Sequence, residues 1–266
     1  LGLRLLAQGR RVAVLAVDPS SSVSGGSILG DKTRMERLSA DERAFIRPSP
    51  SSGTLGGVAD KTREAMLAVE AAGHDVVIIE TVGVGQSETA VAGMTDMFVL
   101  LQLPNAGDDL QAIKKGITEL ADLIAINKAD LDEAAATNAR AQITSSLRIL
   151  GLHGRGEEEP LDAAAWHPEV LTVSALTGQG LDAFEDAISR FREMQQASGR
   201  FALRRRQQAE AWMKERVEAG LRERFRAHPA VRAALPEAIE DVRAGRLAPS
   251  VAARRLLDLL DRGPGI

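Results

Sequence analysis

Short apolar runs alternate with longer segments of mixed polarity over the first two-thirds of the chain. The runs are rich in Val, Ile and Leu and lie at residues 11–17, 75–80, 97–103, 120–126 and 170–173. Because they show little polar alternation, they predict strands of a parallel sheet that is covered on both faces. The segments between them have the pattern of helices, at residues 58–72, 108–118, 134–150 and 181–196. This alternation predicts an α/β fold with a doubly wound, mostly parallel sheet.

The pattern changes near residue 200. Residues 201–228 are highly charged and predict an amphipathic helix, with spaced apolar residues at Met213, Val217, Leu221 and Phe225. Two shorter helical stretches follow, and prolines split them at Pro236 and Pro249. We therefore predict an α/β domain over residues 1–198 and an all-helical appendage over residues 199–266. The arginines at 204–206 have acidic residues interleaved nearby, so we interpret them as a solvated helix face rather than a binding patch.

Composition narrows the class of protein. The chain has 266 residues, of which 44% are hydrophobic and 26% are charged, as expected for a soluble globular protein with one large domain and a smaller one. Its net charge of −4 argues against nucleic acid or an anionic membrane as the main partner. The lack of cysteine excludes disulfides, thiolate metal sites and cysteine catalysis. No apolar run is long enough to span a bilayer, and we expect a cytoplasmic protein.

The tetrapeptide Asn127-Lys128-Ala129-Asp130 follows the apolar run at residues 120–126. Its order of side chains suits the recognition of guanine. The Asp130 carboxylate can accept hydrogen bonds from the N1–H and the exocyclic amine of guanine, a pair that adenine does not offer. The Lys128 stem can lie over the base while its ammonium stays hydrated. The alternative interpretation is a polar turn after a strand.

Carboxylates at the ends of the first two runs predict a magnesium site. Asp18 directly follows the first run, Asp31 follows a glycine-rich stretch after it, and Glu80 ends the second run. Carboxylates together with phosphate oxygens are the usual ligands of protein-bound Mg²⁺. A turn at Asp18 and a helix N-cap at Asp31 are the structural alternatives. Glu80 is expected at the apolar end of a buried strand with no evident partner, which favours a functional role.

Three further segments suit a nucleoside triphosphate site. Gly83 follows Glu80 and could present a backbone N–H to the γ-phosphate, or could belong to a simple glycine-rich turn. The polar stretch at residues 105–115 is either another switch or an ordinary loop. The last apolar run ends in Ser174, Ala175 and Leu176, where a backbone N–H could hold the guanine O6.

A phosphate-binding Gly-x-x-x-x-Gly-Lys-Ser/Thr motif does not occur in the sequence. Residues 1–11 read as the second half of a helix that ends at Gly9, followed directly by a strand. We therefore expect that the chain begins inside the helix that follows a phosphate loop, and that the first strand and the loop are not included.

Taken together, the stretches DPSS, GGSILGDKTRM, ETVGVGQSE, LPNAGDDLQAIKKG, NKAD and SALTGQGL resemble the MeaB/ArgK (MMAA-type) family of GTPases. The resemblance covers nearly the whole chain and implies a P-loop NTPase-type fold. It implies that Asp18, Asp31 and Glu80 line the Mg²⁺ site, and that the segment around residues 83–88, which begins with Gly83, is the γ-phosphate switch. It also implies an additional switch that holds Gln111 and Lys114, and a homodimer contact through the C-terminal helices.

The same resemblance implies a GTPase that binds GTP, GDP and Mg²⁺. Its expected partner is a cobalamin-dependent acyl-CoA mutase such as methylmalonyl-CoA mutase, for which it gates the loading and protection of adenosylcobalamin. Three alternatives stay open: a transport-system ATPase or kinase, a nickel-type metallochaperone GTPase, and a partner-binding module without catalysis.

Overall fold

The computed structural model describes residues 1–18, 35–50, 55–81, 87–104, 111–153 and 166–261. The strands in these ranges are β1 (Val12–Asp18), β2 (Ala44–Pro50), β3 (Val76–Thr81), β4 (Val99–Gln102), β5 (Leu123–Ile126) and β6 (Glu169–Thr172). They form two three-stranded parallel ladders, with the orders β2-β1-β3 and β4-β5-β6. In each ladder the carboxyl ends of the strands therefore lie at one edge, where the loops that follow them meet.

Helices connect and follow the strands. In chain order they are α1 (Gly2–Ala7), α2 (Glu36–Ser39), α3 (Leu55–Ala71), α4 (Ser87–Ala92), α5 (Gln111–Leu120), α6 (Glu133–His153), α7 (Leu181–Ala197), α8 (Arg200–Ala227), α9 (Pro229–Arg243) and α10 (Pro249–Asp261). The chain divides into two compact units, Leu1–Arg205 and Arg206–Ile266. The second unit is all helical in its described residues, and the predicted fold class is confirmed.

The middle strand of each ladder is the most deeply buried. Residues 12–17 of β1 are at most 5% exposed, and all four residues of β5 are 0% exposed. Alternate residues of β5 enter two separate apolar clusters: Ile124 and Ile126 pack in one, and Leu123 and Ala125 in the other. A strand that is covered on both faces has no polar side to present, which explains its unbroken apolar sequence.

Strand β2 was not predicted, because its sequence AFIRPSP contains two prolines. It pairs in parallel with β1, and Pro48 and Pro50 lie opposite Ala16 and Asp18. Within its ladder β2 is an outer strand, so a missing N–H on its far side removes no ladder bond. Tertiary pairing therefore overrides the local signal that disfavours a strand.

The predicted break at Pro236 is wrong. Helix α9 begins with Pro229 in its first turn and runs through Pro236 to Arg243. A proline inside a helix removes one backbone bond, and the packing of α9 against α10 offsets that loss, with Val231 and Ala252 buried. The other proline fits the prediction, since Pro249 opens α10.

The arginines at the start of α8 are ion paired within the first unit. Arg205 donates from Nε and Nη2 to the Asp96 carboxylate at 2.6 Å each, and from Nη2 to Glu70 at 2.8 Å. Arg204 donates from Nη1 to Asp122 at 3.0 Å. Burial raises the pKa of the Asp122 carboxyl, and the charge of Arg204 opposes that shift. Arg204 and Arg205 are ion paired, so a solvated face is the wrong interpretation for them. The sequence pattern does not reveal these pairs, because the partner carboxylates come from distant parts of the chain.

No helix among the described residues is both long enough and apolar enough to cross a membrane.

Candidate functional site

Two loops at the carboxyl ends of β5 and β6 form the best-defined part of the candidate site. Asn127 follows β5 directly, and Val173 follows β6. The loops are joined by backbone hydrogen bonds from Val173 N–H to Ile126 O at 2.9 Å and from Ala129 N–H to Val173 O at 3.1 Å. The parallel pairing of β5 with β6 thus brings the predicted segments 127–130 and 174–176 together.

The side chain of Asn127 adds a third link between these loops. Its Oδ1 accepts hydrogen bonds from Lys128 N–H at 2.8 Å and from Ala175 N–H at 3.1 Å. One amide oxygen therefore holds both backbones at the rim of the site. Asn127 therefore links the two loops in this structure. Its position in the tetrapeptide alone does not indicate this role.

The backbone of Lys128 adopts a left-handed conformation. Its φ is 61°, and among the described non-glycine residues it is the one with positive φ. Such a conformation costs about 1 kcal/mol for an L-residue. A hydrogen bond from Leu131 N–H to Lys128 O at 3.1 Å closes the turn. Ala129 is buried, whereas Lys128 and Asp130 are exposed on either side of it, so the turn presents both charged side chains to solvent.

The loop after β6 is held by its own hydrogen bonds. Ser174 is fully buried, and its Oγ accepts a hydrogen bond from Thr177 N–H at 3.1 Å. Its backbone N–H donates to Gln179 O and its carbonyl accepts from Gly178 N–H, each at 2.9 Å. Ser174 therefore anchors the loop, while Ala175 and Leu176 are exposed at its tip.

The predicted metal ligands are only partly described. Asp18 is the last residue of β1, and Glu80 lies in β3, where it is paired with Ala16. The carboxyl ends of these neighbouring strands therefore carry two of the three predicted carboxylates. Asp31 lies outside the described residues. Within the described part of the chain, no group of three or more His, Asp or Glu side chains comes close enough together to hold a metal ion.

Glu80 differs from its prediction in one respect. The sequence predicts a buried carboxylate at the end of an apolar strand, but the side chain is exposed. Strand β3 is an outer strand of its ladder, and all its other residues are partly exposed as well. The argument that Glu80 must be functional because it is buried without a partner is therefore wrong.

The remaining predicted residues are placed less fully. Gln111 is the first residue of α5, and Lys114 lies in the same helix. Gly83 lies outside the described residues.

The comparison with protein families supplies the identity that geometry alone does not. Residues 1–230 match the model of the family described as methylmalonyl-CoA mutase-associated GTPase MeaB. The chain belongs to this family. Membership confirms the resemblance drawn from the sequence motifs and the prediction that the chain is a GTPase.

Individual proteins agree with membership in the MeaB family. The chain is 56% identical over 256 residues to a putative GTPase of Caulobacter vibrioides, and the aligned region covers 96% of this chain and 76% of that protein. It is 47% identical to the mouse mitochondrial methylmalonic aciduria type A homolog, over 96% of this chain and 60% of that protein. A solved structure described as LAO/AO transport system kinase matches with a TM-score of 0.68 and 37% identity, and covers 98% of this chain and 75% of that one.

Two glycines of the loop after β6 differ sharply in their surroundings. Both have positive φ, 86° at Gly178 and 74° at Gly180. A Cβ at Gly180 would lie 2.3 Å from the carbonyl oxygen of Thr172, whereas a Cβ at Gly178 would meet nothing within 4 Å. Gly180 lets the loop pass close to β6 and start α7.

We predict that Gly180→Ala destabilises the protein far more than Gly178→Ala. Gly178→Ala should lower the free energy of unfolding by roughly 1 kcal/mol, because alanine disfavours the left-handed backbone. Gly180→Ala has the same cost and also a clash with the backbone, so its loss should exceed about 2 kcal/mol. Urea unfolding in a Trp212→Phe background isolates the fluorescence of Trp166, which packs edge-on against Phe191 of α7. Equal losses for the two variants would contradict the close approach at Gly180.

Proposed function

We propose that this protein binds GTP through the loops after β5 and β6, hydrolyses it, and gates the loading and protection of adenosylcobalamin in a cobalamin-dependent acyl-CoA mutase. The observation that carries the nucleotide assignment is the junction of the two loops on the amide oxygen of Asn127. The family description, which names methylmalonyl-CoA mutase, supports the partner.

Guanine selection is assigned to the exposed carboxylate of Asp130. It would accept hydrogen bonds from the N1–H and the exocyclic amine of the base, and adenine would leave that carboxylate unpaired. The N–H of Ala175 already donates to Asn127. The neighbouring N–H of Leu176 has no hydrogen-bond partner among the described residues. It is therefore the better donor for the guanine O6.

The phosphate end of the proposed site is assigned to Asp18, Asp31 and Glu80, with the segment around Gly83. Oxygen ligands from carboxylates suit Mg²⁺, which would neutralise charge on the phosphate oxygens when bound. Gln111 and Lys114 in α5 complete the proposed set of residues that respond to nucleotide and partner. Phosphoryl transfer needs positioning and electrostatic stabilisation more than covalent chemistry, so a partner that reorders these segments can raise the rate.

Other functions have less support. A transport-linked kinase is the description of one similar structure, but Asn127 and Asp130 favour guanine over adenine. A nickel metallochaperone needs thiolates or clustered histidines for its cargo, and the chain has no cysteine and four histidines spread along its length. A module that binds partners without catalysis would release no phosphate from GTP.

The C-terminal helices are proposed to form a homodimer. Met213, Val217 and Leu221 lie four residues apart on α8 and are each more than half exposed. Nearby charges pair within the helix, Glu210 with Lys214 and Glu218 with Arg222. An apolar stripe of this length is the pattern that a second helix covers, and a second copy of the chain would supply the same stripe.

We predict that Asp130→Asn weakens GTP binding by at least about 10-fold, because a charged acceptor of two hydrogen bonds is lost. The same variant should gain affinity for xanthosine triphosphate, whose C2 carbonyl can accept from the new amide. Calorimetric titration with GTP, XTP and ATP measures both effects. Asp132→Asn is the matched control, since the Oδ1 of Asp132 accepts a hydrogen bond from Ala135 N–H at the start of α6 and asparagine can do the same. An unchanged GTP preference in Asp130→Asn would remove the base-reading assignment.

We predict that adding a cobalamin-dependent acyl-CoA mutase raises the GTP turnover of the full-length protein at least several-fold, because the partner reorganises the segments around the phosphates. Phosphate release is measured with methylmalonyl-CoA mutase and, separately, with isobutyryl-CoA mutase. The Asp130→Asn variant with the same mutase shows whether the stimulated activity depends on this nucleotide site. If neither mutase changes the rate, the proposed chaperone role loses its support.

We predict that Val217→Glu converts the homodimer into a monomer, because it places a charge in the middle of the apolar stripe. Ala219→Glu puts the same residue on the opposite face of α8 and should leave the dimer intact. Light scattering coupled to size-exclusion chromatography gives the mass of each. A Val217→Glu protein that stays dimeric would place the contact elsewhere.

A further inference from the structure

Arg205 joins three helices of the first unit. From α8, its Nε and Nη2 donate to the two carboxylate oxygens of Asp96, in the turn after α4, at 2.6 Å each. Its Nη2 also donates to Glu70, in the last turn of α3, at 2.8 Å. The guanidinium lies 5.0 Å from the ring centre of Phe201, one turn earlier in α8. An isolated surface ion pair contributes little, but a bidentate pair within a network of charges fixes the geometry of its members.

The turn that carries Asp96 is a direct continuation of α4. Thr95 donates to the carbonyl oxygen of Val91 from its N–H at 3.1 Å and from its Oγ1 at 3.0 Å. The N–H of Met94 donates to the same oxygen at 3.0 Å. Val91 and Met94 are each 5% exposed, so this part of the chain is also buried in the core. The ion pair to Asp96 therefore holds the carboxyl end of α4.

The amino end of α4 lies in the segment proposed for the γ-phosphate. That segment covers residues 83–88, and α4 runs from Ser87 to Ala92. A helix of six residues is about 9 Å long at the usual rise per residue. An element this short moves as a rigid body, so a displacement of its carboxyl end also displaces residues 87 and 88.

We propose that Arg205 is a positioning residue for GTP hydrolysis, which fixes α4 against α3 and α8 and thereby positions the end of α4 where the proposed γ-phosphate segment enters. This inference rests on the proposed GTPase function. A helix that is already held in place needs less of the binding free energy of GTP to position it. GDP has no γ-phosphate, so the affinity for GDP should depend much less on Arg205.

Arg205→Gln tests this role in the full-length protein. We expect the Kd for a non-hydrolysable GTP analogue to rise about 5- to 10-fold and the Kd for GDP to stay within about 2-fold, since the γ-phosphate distinguishes the two ligands. The kcat for GTP should fall at least about 3-fold, because the reacting groups are held less well. Calorimetric titration measures the binding, and phosphate release measures the turnover.

Matched variants separate positioning from simple stabilisation. Asp96→Asn should reproduce the effects of Arg205→Gln, and the double variant should be no worse than either single one, because both changes remove the same pair. Glu70→Gln leaves both bonds to Asp96 in place, so it should lower the temperature of unfolding without changing the ratio of the two Kd values. Arg206→Gln removes the same charge at an exposed neighbouring position and should change neither the ratio nor kcat.

Every outcome bears on the role of Arg205. An unchanged ratio of the two Kd values in a folded Arg205→Gln variant would overturn it, as would an equal change of that ratio in Glu70→Gln. A parallel rise of both Kd values would also overturn it, because it indicates a general loosening of the fold. If Arg205→Gln does not fold, Arg205→Lys decides by the same ratio, since lysine keeps the charge but cannot form the planar bidentate pair.

Failure of the proposed GTPase function has a different signature. The unaltered full-length protein would then release no phosphate from GTP, and the positioning role would fail with it. If the unaltered protein hydrolyses GTP and the Arg205 and Asp96 variants match it in both Kd values and in kcat, only the positioning role is lost.

Discussion

The parallel pairing of β5 with β6 is the constraint on which the best-described part of the candidate site depends. It places the residue that follows each strand at the same edge, and the backbone bonds of Val173 to Ile126 and of Ala129 to Val173 continue the pairing into the loops. Because β5 is completely buried between β4 and β6 and between two apolar clusters, its carboxyl end has little freedom to move. The loops are held to the sheet by these hydrogen bonds and are constrained in the same way. A base-reading site needs this rigidity, since the selectivity of a hydrogen bond depends on holding the acceptor in place.

Within this frame, buried and exposed residues have separate tasks. Ala129 and Ser174 are buried and fix the two loops to the sheet, and the amide of Asn127 joins the loops to each other. The side chains between these anchors, Lys128, Asp130 and Leu176, are exposed and free to meet a ligand. The left-handed backbone of Lys128 is consistent with this anchoring, because a strained turn persists only where the surrounding structure holds it in place. The arrangement is that of a preorganised rim.

Membership in the MeaB family relates this rim to a GTPase function. The family description names both the nucleotide chemistry and an associated mutase, and the chain carries a helical second unit with an exposed apolar stripe on α8. The proposed nucleotide site lies in the first unit and the proposed association surface in the second, which agrees with the proposed gating role. Asp18 and Glu80, which are proposed for the phosphate end of the site, lie near the carboxyl ends of the neighbouring strands β1 and β3.

The sequence by itself determined the class of fold and most of the strands and helices, since these depend on local apolar patterns. From a short motif with a defined chemistry it also predicted the base-reading residues. It did not predict β2, because prolines disfavour a strand locally and only an outer position in a ladder tolerates them. It also misjudged Pro236, the burial of Glu80 and the environment of Arg204 and Arg205. Each of these depends on partners that are distant along the chain: a neighbouring helix, the edge of a ladder, or carboxylates such as Asp96 and Asp122. Only the tertiary structure showed that Asn127 joins the loops and that Leu176 is held in solvent, because a pattern of residues specifies what a side chain can do but not what it meets.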